Sequence, residues 1–278
     1  MNVQQKNKIW LILSIVLALV AVISGAIFAL NSLNQKKAED KLADLQESVT
    51  SVIEDTTVTE EKINPTEPIL QEKISLLEEK YGIKIPEKNL DFEKLKAEIN
   101  QDIYAWIYVP GTKVDYPIVQ HPTDNDYYLD YNYDGSKGFP GTIYTQNYND
   151  KDFTDRNTVV YGHNMKNGSM FATLHNYADR EFFDANRYIY IYTEDDIFVY
   201  KIFAAHEFNS IHLLLSFDLS QDEIFLNYLN SILDSRDMRS NIDKSVEFDE
   251  DTKIITLSTC VNSNQDNRYL VQGELLIK

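Results

Sequence analysis

The chain has 278 residues, 43% of them hydrophobic, with 9 Gly and 7 Pro, which leaves room for one substantial folded domain plus attachments. Its formal net charge of -18 excludes a nucleic-acid binder, whose phosphate-facing surface needs clustered Lys and Arg. The same charge argues against purely electrostatic adhesion to anionic lipid or an anionic wall polymer.

In chain order, residues 1–8 read as a short cytoplasmic N-terminus and Ile9–Leu30 as a transmembrane anchor. The apolar run is broken only by Ser14, Ser24 and Gly25, and at about 1.5 Å per residue a helix of this length spans roughly the 30 Å hydrocarbon core. Lys6 and Lys8 precede it, whereas Lys36 and Lys37 after it are followed by Glu39 and Asp40. The charge bias therefore favours a single-pass protein in the cell membrane with the bulk of the chain outside. The competing reading is a cleaved signal peptide at Ser24-Gly25-Ala26, but the apolar run continues through Ile27, Phe28 and Leu30.

Residues 31–70 read as an extracytoplasmic stem and linker. Leu42, Leu45, Val49 and Val52 mark a short amphipathic helix over Ala38–Ile53, and the Thr, Glu and Pro of Glu54–Pro68 a solvated linker. A catalytic domain is expected over residues 71–278. Asn89 or Asp91 caps a helix carrying Phe92, Leu95 and Ile99. From Ile103 the pattern turns to strands rich in aromatic and β-branched residues: AWIYV, KVDYPIVQ, GTIYTQ, NTVVYGH, RYIYIYT, IFVYKIFAAHEF, KIITLSTC and RYLVQGELLIK. Ser220-Gln221-Asp222-Glu223 reads as a capping box opening a helix through Leu233. The fold class expected is mainly β: a closed barrel of about eight strands with peripheral helices, preceded by one N-terminal transmembrane helix.

The single cysteine, Cys260, has no disulfide partner in the chain, and no Cys/His spacing suggests a metal site. It sits where the strand Lys253–Thr259 ends, before the polar, loop-like Val261–Asn267, and Arg268 opens the final strand. A free thiol is only a few per cent ionised at neutral pH and needs a base or a cationic neighbour to act as a nucleophile. Arg268 can stabilise a thiolate or an oxyanion but cannot serve as a base. Of the five histidines, His163 and His121 both end strand-like runs, and position alone does not choose between them.

The segments TVVYGHNM, TLSTC and RYLVQGEL resemble the three signature blocks of sortases, in family order, and TLSTC matches the Thr-Leu-x-Thr-Cys motif at every fixed position. The likeness extends over roughly Phe92–Lys278 through WIYVPGTKVDYPIVQ, DNDYYL and GSMFATLHNYAD, and is greatest to class B sortases. It implies an eight-stranded sortase barrel and a cysteine transpeptidase without cofactor or metal. It implies that Cys260 attacks the Thr carbonyl of a C-terminal sorting motif in another exported protein. His163, rather than His121, would protonate the leaving amine and later deprotonate an amine of a cell-wall peptidoglycan precursor. Arg268 would bind the motif and stabilise the oxyanion with the backbone N–H of Val261. Class B likeness further implies a motif of the form Asn or Ser, Pro, any residue, Thr, then Gly or Asn. Several class B members carry Asp two residues after the Cys; here that position is Asn262, so either the Asp role is dispensable or nearby Asp266 substitutes.

Other classes fit less well. His206-Glu207 begins like HExxH, but Ser210 stands where the second His is required. A glycosidase needs two placed carboxylates, and 44 acidic residues nominate no pair. A class D or pilin-polymerising sortase is the alternative within the family. A non-catalytic membrane-anchored binding domain has no use for the His, Cys and Arg blocks together.

Overall fold

The structure, a computed structural model, describes residues 3–50, 67–235, 237–261 and 264–276. It divides into two compact units, Met1–Asp44 and Leu45–Lys278. The first consists of most of the helix Val3–Thr50, which contains a stretch long and apolar enough to cross a membrane. The separate amphipathic helix expected from Ala38 is not there. No Gly or Pro interrupts residues 26–50, and the Lys-, Ala-, Glu- and Leu-rich segment simply continues the helix. Most of the linker expected over Glu54–Pro68 lies outside the described residues; its last two residues open the helix Glu67–Tyr81.

The second unit is a β-barrel built from β1 (Ile103–Tyr108), β2 (Asp115–Val119), β3 (Ile143–Thr145), β4 (Asn157–Tyr161), β5 (Tyr188–Thr193), β6 (Ile197–Asn209), β7 (Asn241–Ile242), β8 (Ile254–Val261) and β9 (Asn264–Leu275). The ladder runs β5-β1-β2-β3-β4-β8-β9-β6, and β6 pairs back onto β5, which closes eight strands into a ring; β7 attaches to β6 outside it. Closure removes the open edges that a sheet of this length would otherwise expose. Two neighbouring pairs, β2–β3 and β4–β8, are parallel.

Helices cover the barrel in two places. Leu77 of Glu67–Tyr81, Phe92 and Leu95 of the helix Phe92–Glu98, and Val49 pack with Trp106, Tyr190 and Val199. Asp91 caps the second of these helices by accepting from the Lys94 amide. Elsewhere the helix Asp222–Leu233 buries Phe225, Leu229 and Ile232 against Phe203, Ile254 and Leu270. Burying each such side chain stabilises the fold by about 1.5–3 kcal/mol. The capping box expected at Ser220 does not form. The Ser220 hydroxyl donates to Asp218 Oδ1, Gln221 Nε2 donates to Asp218 Oδ2, and Gln221 becomes the cap residue without a side-chain bond. Asp218 has taken both donors.

Candidate active site

Sheet register assembles the site. In the parallel β4–β8 pair Tyr161 lies opposite Ser258, and the ladder continues one step as the Gly162 amide donates to the Ser258 carbonyl at 3.1 Å. His163 and Cys260 each stand two residues beyond that matched pair, and a period of two returns them to the same face. In the antiparallel β8–β9 pair Cys260 lies directly opposite Arg268. Cys260 is thus flanked by His163 on one side and Arg268 on the other. Arg268 does not open the last strand, as its sequence context suggested. β9 begins at Asn264: Asn264 pairs with Val261 of β8, and Asn267 and Arg268 face Asn209 and Phe208 of β6. The described part of the segment that read as a loop is therefore strand.

All three residues line a cavity of about 230 Å³, whose walls also include Leu129, Tyr144, Tyr161, His212 and Ser258. The Cys260 thiol is exposed. Among the described residues lining the cavity, Arg268 is the one Arg or Lys. Its charge reaches Tyr144 and Tyr161: burial pushes both phenols well above their usual range, and Arg268 partly opposes it. Both remain neutral hydrogen-bonding groups. His163 Nε2 lies 2.9 Å from the Leu129 carbonyl. A carbonyl can only accept, so neutral His163 carries its proton on Nε2 and keeps the lone pair on Nδ1. Phe139 packs against the ring at 5.6 Å between centroids.

Residues 107–276 match the sortase domain family model. The chain belongs to the sortase family. It is 34% identical to sortase B of Listeria monocytogenes over 183 residues, covering 65% of this chain and 72% of that protein. The barrel superposes on the crystal structure of Clostridium perfringens sortase B with a TM-score of 0.60 at 32% identity, covering 67% of this chain and 100% of that one. It also matches the Staphylococcus aureus sortase B–substrate complex with a TM-score of 0.58 at 26% identity, covering 75% and 94%. The sortase is accordingly a cysteine transpeptidase most similar to class B members.

The remaining histidines of this sortase have other surroundings. His121 Nδ1 accepts from the Thr123 and Asp124 amides at 3.3 and 2.9 Å, its ring stacks on Tyr127, and it does not line the cavity. His206 is buried on Gln272. His212 Nε2 meets Gln146 Oε1 at 2.7 Å in the cavity wall. His175, on the 3-10 helix Ala172–Ala178, reaches the backbone carbonyl of Cys260, as does Asn164. The sequence offered no signal for these two, since a contact to a backbone carbonyl leaves no motif. Asn262 lies outside the described residues, as does the side chain of Asp266. Val261 is buried at the end of β8.

Two glycines beside His163 sit in close quarters. A Cβ on Gly162 would meet Phe171 at 2.7 Å and Ile143 at 2.5 Å. One on Gly141, whose φ is +71°, would meet His163 Cδ2 at 2.9 Å and the Leu129 carbonyl at 3.0 Å. Gly141→Ala is therefore expected to cost about 1–2 kcal/mol in backbone strain. It should also displace the imidazole from Leu129 and reduce turnover about tenfold. Thermal melting and peptide turnover measured together check this; wild-type turnover would show that the Leu129–Gly141 floor does not hold the ring.

Proposed function

We propose that Cys260, His163 and Arg268 transfer the acyl part of a C-terminal sorting motif from another exported protein to an amine of a peptidoglycan precursor. The observation that carries this reading is the register that sets Cys260 between His163 and Arg268 on one cavity wall. The Cys260 thiolate attacks the carbonyl of the motif Thr and forms a tetrahedral oxyanion. Arg268 and the Val261 N–H stabilise that charge. His163, protonated at both nitrogens, keeps Nε2–H on Leu129 and gives its Nδ1 proton to the departing amine as the peptide C–N bond breaks. The thioacyl enzyme remains. An incoming amine then attacks the thioester and His163 Nδ1 takes its proton. The new amide forms and the Cys260 thiolate is released.

The N-terminal apolar helix suits this task by tethering the barrel to the membrane as a single-pass protein, with the catalytic domain on the extracytoplasmic side where exported substrates pass. The likeness to a Staphylococcus aureus sortase B–substrate complex supports substrate binding by this barrel. For the motif we take Asn or Ser, Pro, any residue, Thr, then Gly or Asn, on the class B likeness. The test incubates the full chain in detergent with a peptide library and an amine acceptor and sequences the products. Peptides of that form should be cleaved after Thr and joined to the amine. A wide preference for Leu-Pro-x-Thr-Gly would reassign the specificity, and hydrolysis without transfer would remove the acceptor role.

A further inference from the structure

The carbonyl of Cys260 is held from the side by two groups that the transfer chemistry above does not use. Asn164 Nδ2 donates to it at 2.8 Å, and His175 Nε2 lies 3.1 Å from it. The two nitrogens are 2.9 Å apart, within hydrogen-bond distance of each other. Burial lowers the pKa of His175, with its contact to the Cys260 carbonyl partly opposing that, so the ring is neutral at pH 7 and carries one proton. Asn164 thus donates to the Cys260 carbonyl, and His175 Nε2 lies against both groups. Each of the two side chains is itself held. Asn164 pairs with Met170 across an isolated bridge, and the His175 ring lies on Tyr269, centroids 4.6 Å apart. Tyr269 in turn is the ladder partner of Thr259.

The consequence lies on the other side of the same peptide. The Cys260–Val261 bond is trans, so its C=O and N–H share a plane and point in opposite directions. Holding the oxygen therefore fixes where the Val261 N–H points. The pairing of β8 with β9 shifts at this peptide, with Cys260 opposite Arg268 and Val261 opposite Asn264. We propose that Asn164 and His175 are positioning residues that clamp the Cys260 carbonyl and thereby aim the Val261 N–H at the oxyanion. This rests on the reading of Cys260 as nucleophile and Val261 as oxyanion donor. Asn164 directly follows His163, so one segment carries the base and half of the clamp.

The test separates two reactions of the same thiol, and neither needs the sorting motif. Acylation by p-nitrophenyl acetate passes through a tetrahedral oxyanion: the Cys260 S–C bond forms, the ester C–O bond breaks and p-nitrophenolate leaves. Alkylation by iodoacetamide displaces iodide at a saturated carbon and forms no oxyanion. Both rates are measured on the full chain, with Cys260→Ala as the background for each. Asn164→Ala and His175→Ala should each slow acylation about tenfold, and the double variant about a hundredfold, the scale of losing one oxyanion donor. Alkylation should stay within twofold of wild type. Asn164→Asp, which keeps the shape and loses the donor, should fall at least as far as alanine, and His175→Gln should recover part of the rate. Equal slowing of both reactions, or of neither, would overturn the clamp, and thermal melting identifies a variant that has merely unfolded. A wild-type enzyme that shows this contrast yet cleaves no sorting peptide would overturn the substrate reading and leave the clamp standing.

Discussion

Cys260→Ala is expected to reduce both peptide cleavage and transfer to background while leaving the thermal transition nearly unchanged. The thiol is exposed at the mouth of the cavity, and an exposed substitution usually changes stability by less than about 0.5 kcal/mol. No second thiol exists in the chain to take over covalent catalysis. His163→Ala should cost about 10²–10⁴-fold, the range for a general acid–base group, since the leaving amine would then depart without a proton. His121→Ala supplies the contrast. Its Nδ1 accepts two turn amides, so its loss should loosen the turn at Thr123–Asp124 and leave turnover within a few-fold. Residual transfer by Cys260→Ala would end the covalent mechanism, and a larger loss at His121 than at His163 would transfer the base role to His121.

That contrast marks where the sequence stopped being informative. His163 and His121 both follow strand-like runs, and what separates them is the parallel pairing of β4 with β8, a tertiary fact without a local signature. The strands themselves were legible because alternating aromatic and β-branched residues suit a half-buried pleated surface. β9 was legible from Arg268 onward and missed before it, because Asn264 to Asn267 are polar residues without strand preference, and the partners of Asn264 on β8 and Asn267 on β6 leave no local signature. The helix Glu67–Tyr81 was passed over although Leu70, Ile74, Leu77 and Tyr81 recur at helical spacing. Its proximity to the Thr- and Pro-rich segment masked the period. Of the site, the Cys, His and Arg blocks could be read because side-chain chemistry restricts them. Gly141 under His163, and Asn164 and His175 on the Cys260 carbonyl, could not, since each acts through shape or backbone.

Arg268→Lys is expected to lose about 10²-fold or more in turnover, although it keeps the positive charge. The two roles open to Arg268 make different demands. Raising the local potential to favour the Cys260 thiolate needs a charge near the thiol, and a lysine on the facing ladder position would supply one. Engaging the motif's carbonyls and the developing oxyanion together needs a planar fork of donors, which a single ammonium on a flexible stem does not present. The surroundings favour the second role. Arg268 is a ladder residue opposite both Cys260 and Phe208, and one of its Nη atoms donates to the Asn267 carbonyl at 3.3 Å, which restricts the direction of the fork. Separating the kinetic constants tells how the fork is used. A loss confined to kcat places its action in the transition state, and a loss in KM places it in holding the motif. The rate of Cys260 alkylation as a function of pH completes the measurement. If Arg268→Lys alkylates as wild type does and still fails to turn over peptide, the fork geometry carries the effect. If Arg268→Lys keeps most of its activity while Arg268→Ala does not, the charge alone was sufficient and the positioned-donor role is wrong.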